Sequence, residues 1–63
     1  MTNKMVEDCK REIRITYRQD VNEYRAHDTN TRLIRAWYDE GLVTDEERKE
    51  LRKYNSTYMM ELD

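Results

Sequence analysis

One glycine and no proline stand in this 63-residue chain, and that scarcity decides most of what it can become. A backbone with so few breakers stays helical until something stops it. The one clear stop is Gly41, inside the run Trp37-Tyr38-Asp39-Glu40-Gly41-Leu42-Val43-Thr44-Asp45-Glu46-Glu47. Glycine enters the left-handed conformation that ends helices without steric penalty. Just beyond it, Thr44 and Glu47 have the spacing of a capping box, in which each side chain satisfies the other's backbone N–H. Asp45, Glu46 and Glu47 then precede Arg48, Lys49, Arg52 and Lys53, the order that a helix dipole favours. The stretch reads as a helix stop, a tight turn and a helix start, with Leu42 and Val43 placed to plug the space between two helices.

Periodicity predicts three helices, over about residues 3–26, 31–40 and 45–61. At about 100° per residue, Val6, Cys9, Ile13, Tyr17, Val21 and Tyr24 fall in one sector about 120° wide, the stripe of a helix that packs on something. Ile15 points away from it. His27-Asp28-Thr29-Asn30 has the composition of a loop, with Asp28 or Asn30 placed to cap the next helix. That helix puts Leu33, Ile34 and Trp37 on one face, and the third carries Leu51, Tyr54, Tyr58 and Leu62. Asn55-Ser56-Thr57 are poor helix formers and mark a weak point before Met59 and Met60. The expected fold class is all-α, a single small helical domain over 1–63 whose last two helices form a hairpin.

Size adds a constraint. A chain this short hides only roughly 60% of the surface its unfolded form exposes, so it needs a staple or a partner. One cysteine makes no internal disulfide, and one histidine makes no zinc cluster. The lone thiol fits a reducing compartment such as the cytoplasm. No apolar run is long enough for a membrane span. The stripe of helix one extends about 27 Å from Val6 to Tyr24, and helix two covers about half of that. Self-association is therefore expected, most simply a dimer through Val6, Cys9, Ile13, Tyr17, Val21 and Tyr24.

The segment Tyr38-Asp39-Glu40-Gly41-Leu42-Val43-Thr44-Asp45-Glu46-Glu47, with Leu33 and Trp37 before it and Leu51 after, resembles the helix–turn–helix of SHOCT (short C-terminal) domains. The likeness spans residues 33–54 and departs at Arg48, where those domains usually carry an aromatic. It implies an oligomerisation or interaction element in place of a catalyst. In style the chain is also similar to small bacteriophage accessory proteins.

Catalytic chemistry finds little support in the residues. On one continuous helix Cys9 and His27 stand about 27 Å apart, whereas a thiolate mechanism needs them in hydrogen-bond contact. Cys9 sits on the apolar stripe, where a buried thiol is the ordinary occupant. Gly41 alone cannot build a phosphate-cradling loop. No catalytic, cofactor-binding or metal-binding residue is expected, and no cofactor. The basic residues of helix one are more telling: Arg11, Arg14, Arg18 and Arg25 form a ridge beside the stripe, suited to phosphates or carboxylates. Acids elsewhere in the fold or on a second copy can neutralise that ridge, and the sequence pI near 5.4 opposes nonspecific DNA binding. The expectation is a non-enzymatic protein–protein interaction module, of the phage type that regulates or inhibits a host protein. The alternative is a nucleic-acid-binding accessory factor using the arginine ridge.

Overall fold

A computed structural model describes residues 4–61. They form three helices, α1 (Lys4–Gln19), α2 (Glu23–Asp39) and α3 (Asp45–Glu61), each packed on both others. Among the described residues there is no strand, and no helix is long and apolar enough to cross a membrane.

The joint at Gly41 is built as its residues dictate. Gly41 adopts φ +77°; its N–H donates to the Tyr38 carbonyl at 3.0 Å and the Leu42 N–H to the Trp37 carbonyl at 2.9 Å. Those two bonds make a Schellman closure of α2. The capping box follows, with the Thr44 N–H donating to Glu47 Oε1 at 2.7 Å and the Glu47 N–H to Thr44 Oγ1 at 3.1 Å. Val43 is buried in the joint, whereas Leu42 remains 42% exposed. Only one of the two expected plugs enters the core.

The first two helices divide elsewhere than expected. The chain does not continue helical to residue 26; it turns at Asp20-Val21-Asn22, and α2 starts at Glu23 instead of 31. Local chemistry explains the break. Asn22 takes extended angles, and its Oδ1 accepts from the N–H groups of Tyr24 and Arg25 at 3.0 and 3.2 Å. Asp20 accepts from the Asn22 N–H at 3.0 Å and grips the Arg25 guanidinium through two bonds, of 2.8 and 3.0 Å. An asparagine cap is worth about 1 kcal/mol, and the Arg25 fork adds a charge-assisted pair. The expected loop His27-Asp28-Thr29-Asn30 is accordingly mid-helix, and neither Asp28 nor Asn30 caps anything. The third helix keeps its expected bounds.

The break also redistributes the stripe. Val6, Cys9, Ile13 and Tyr17 of α1 are buried against Ala26 and Ile34 of α2, Val43, and Leu51 of α3. Met5, Trp37, Tyr54, Tyr58 and Met59 pack around this core. Full burial of Ile13, Ile34 and Leu51 contributes about 1.5–3 kcal/mol each. Val21 and Tyr24, expected on the same stripe, are 102% and 70% exposed, because the turn rotates them out of register. The six residues therefore do not form one exposed face: four are buried inside one chain, and the other two lie beyond α1. Ile15 is half-buried, and Leu62 and Asn3 lie outside the described residues.

Two asparagines sit at the centre, Asn30 and Asn55, both almost wholly buried. Tyr17 Oη lies 2.7 Å from Asn55 Oδ1 and 3.0 Å from the Asn55 carbonyl, and donates there. Asn30 Nδ2 donates to the Ile13 carbonyl at 3.3 Å and to Asn55 Oδ1 at 3.1 Å, while Asn55 Nδ2 donates to the His27 carbonyl at 3.1 Å. One polar cluster thus ties α1, α2 and α3 together. Asn30 Oδ1 is buried without a hydrogen-bond partner among the described residues. Both acceptors lie on the amide nitrogen's side, which fixes the side chain's orientation.

Candidate interaction surfaces

The arginine ridge of helix one survives only in part. Arg11, Arg14 and Arg18 share one face of α1 through their spacing, but Arg25 belongs to α2 and is held by Asp20 at 2.8 Å. Arg14 donates to Tyr54 Oη at 2.9 Å. That contact belongs to a seam along α1 and α3, where Tyr17 and Tyr58 lie 5.3 Å apart between ring centroids and Tyr54 and Tyr58 6.0 Å. Lys10 stands over the Tyr54 ring at 5.4 Å and reaches Glu50 at 3.7 Å. Tyr58 is half-buried in this seam. Arg11 and Arg18 remain exposed, with no ion pair among the described residues.

Cys9 and His27 are not brought together as nucleophile and base. Burial first, then the nearby carboxylates of Asp8, Glu47 and Glu12, push the Cys9 thiol up, the opposite of what activates a thiolate. His27 instead places Nε2 3.2 Å from Ser56 Oγ across the α2–α3 seam. Tyr17 is likewise pushed up by burial, with the Asn30 amide pulling the other way. No group of three histidine, cysteine or acidic residues stands close enough to hold a metal ion among the described residues.

Two surfaces escaped the sequence reading. The first is the turn between α1 and α2, where Val21 and Tyr24 project from a backbone fixed by Asp20, Asn22 and Arg25. A shallow hollow of about 370 Å³ beside it is lined by Thr16, Gln19, Asp20, Val21, Arg25 and Thr29. The capping pattern of Asp20, Asn22 and Arg25 was the available signal; it was masked by the even continuation of the apolar period across it. The second is a groove between α2 and α3, two hollows of about 440 and 500 Å³ that share Thr31 and Arg52. Arg32 and Arg35 line it from α2; Arg48, Lys49, Arg52 and Lys53 line it from α3. Tyr38 stands at one end, with the Arg48 guanidinium 5.0 Å from its ring centroid. These bases are scattered along the sequence, and only the hairpin assembles them.

Compared with known proteins, the chain matches no family model, no curated protein and no solved structure.

Proposed function

We propose that the protein is a non-enzymatic protein–protein interaction module, acting as a small regulator or inhibitor of a partner protein. The observation that carries this is the outward presentation of Val21 and Tyr24 on a clamped turn. A valine wholly in water forgoes about 1.5–3 kcal/mol that burial would return. Tyrosine, apolar along its ring and polar at its tip, is enriched in protein interfaces. The clamp lowers the ordering penalty for a partner, since backbone and caps are already fixed before contact. The likeness of residues 33–54 to an interaction hairpin supports the same reading.

The alternative placed a nucleic acid on the ridge of helix one. Arg14 and Arg25 are engaged within the fold, so that ridge offers only Arg11 and Arg18 as uncommitted bases, and supports this reading less.

Affinity capture from native lysate with the tagged chain tests the proposal. The wild type should retain a defined partner that the paired variant Val21→Asp, Tyr24→Ala loses while keeping its melting temperature. Equal capture by the variant, or no partner for the wild type, would overturn it. Light scattering on both proteins separates a second copy from a foreign partner.

A further inference from the structure

We infer that the groove between α2 and α3 binds single-stranded nucleic acid through its phosphate backbone. The charge on its walls is the first ground. Six bases line it, and the acids that pair with them are Asp28, Asp39 and Asp45. Six minus three leaves a local charge of +3, with Arg52 and Lys53 free of any ion pair among the described residues. Arg48 is the exception, half-buried and held by Asp45 at 2.6 Å; the other pairs are exposed, Arg32–Asp28 at 3.3 Å, Arg35–Asp39 at 3.9 Å and Lys49–Asp45 at 3.4 Å. Each contributes about 0–1 kcal/mol, so a phosphate can displace the acid cheaply.

The chain's net charge of −2 does not decide the matter. Several of its acids, including Glu7, Asp8 and Glu12, lie on α1, and no residue of α1 lines the groove. Packed helix axes stand about 8–10 Å apart, while the screening length at physiological salt is about 8 Å. The groove's own side chains dominate the potential inside it.

Composition then selects the occupant. Protein interfaces are depleted of lysine, though enriched in arginine, and are centred on buried aromatic or aliphatic anchors. Here Tyr38 is the one exposed large hydrophobic on the walls, Ile34 being buried beneath them. Six bases around one exposed ring match the more cationic interfaces made with nucleic acids. Shape narrows it further: a recess between two adjacent helices admits one strand, whereas a duplex needs a helix that protrudes into its own groove. Along each wall the bases recur at one-turn spacing, Arg32 with Arg35, Arg48 with Arg52 and Lys49 with Lys53, giving two cationic tracks for a backbone to follow. Tyr38 supplies a ring for a base at the end of the tracks.

Fluorescence anisotropy with a labelled twelve-nucleotide oligothymidine at low salt tests this on the full chain. Binding in the micromolar range is expected. Neutralising about three or four phosphates gives a log–log salt slope of about −2 to −3 for a single strand. The variant Arg52→Glu, Lys53→Glu should bind at least about tenfold more weakly with an unchanged melt, since both side chains are exposed and unpaired; Arg52→Gln, Lys53→Gln repeats the test without charge reversal. Arg11→Glu, Arg18→Glu on α1 should change affinity by less than about twofold. Four results overturn the inference: no binding at 200 μM protein (roughly the weak end of nonspecific affinities), a flat salt response, equal loss from the α1 variant, or tighter binding of duplex or of polyglutamate than of oligothymidine.

Discussion

Replacing Asn55 by alanine tests the polar centre of the fold most severely. The substitution removes three hydrogen bonds: those that Asn55 Oδ1 accepts from Tyr17 and Asn30, and the one that Asn55 Nδ2 gives to the His27 carbonyl. At about 0.5–1.5 kcal/mol net each, the loss is about 1.5–4.5 kcal/mol. The partners are not all orphaned. Tyr17 keeps the Asn55 carbonyl at 3.0 Å, Asn30 keeps the Ile13 carbonyl at 3.3 Å, and the His27 carbonyl keeps the Thr31 hydroxyl at 2.9 Å. That places the expected value near the middle, about 3 kcal/mol. At about 0.05–0.15 kcal/mol per residue the whole domain holds only about 3–9 kcal/mol, so one side chain governs a third or more of it. In a domain of this size each kcal/mol moves the midpoint by about 4–8 °C, and thermal circular dichroism should record a drop of about 12–24 °C. Thr57→Ala, at an exposed neighbouring position, should stay within about 0.5 kcal/mol of wild type. A double-mutant cycle with Tyr17→Phe should give a coupling of about 0.5–3 kcal/mol. A drop under about 4 °C, or no coupling, would refute the reasoning.

Further outcomes are expected at the joint, in acid and at Cys9. Thr44→Ala should remove the capping box and lower stability by about 1 kcal/mol in urea melts, and Gly41→Ala should lose a similar amount. In the latter case the added methyl meets nothing within 4 Å, so the penalty is the left-handed backbone alone. Arg25 and Arg48, through their hydrogen bonds, hold the Asp20 and Asp45 carboxyls below the ordinary carboxylate range. A group depressed on folding contributes stability that is present above its unfolded value, near 4, and lost as pH falls through its folded value. Melts should therefore be level at neutral pH and decline in acid below about pH 4, and Asp20→Asn should shallow that decline. Cys9 should react with a disulfide reagent at pH 8 much more slowly than a free thiol, reaching the free rate in urea, because burial holds it protonated and covered.

What the sequence made legible was the part governed by short-range rules. Gly41, Thr44 and Glu47 act within a few residues of one another, so the hairpin and the start of α3 could be read directly. Val6, Cys9, Ile13 and Tyr17 followed from the helical period. The division between α1 and α2 was hidden because Val21 and Tyr24 continue that period while Asp20, Asn22 and Arg25 quietly cap against it. Thr29-Asn30 and Asn55-Ser56-Thr57 looked like breaks because propensity counts asparagine as a poor helix former. Asn30 and Asn55 are instead held helical by bonds to residues 17 and 38 positions away in Ile13 and Tyr17. Such partners are visible only once three helices meet. The groove on α2 and α3 was out of reach for the same reason.

The asparagine–tyrosine cluster draws one contribution from every helix, so no pair of them is complete without the third. A hairpin of α2 and α3 alone would leave the Asn55 and Asn30 amides facing water through a gap where Tyr17 and Ile13 belong. Half-built forms of the molecule are thus penalised, and assembly should proceed as a single concerted event. Drift in the outer residues can then retune what the surface greets while this small keystone holds the arch at one alignment.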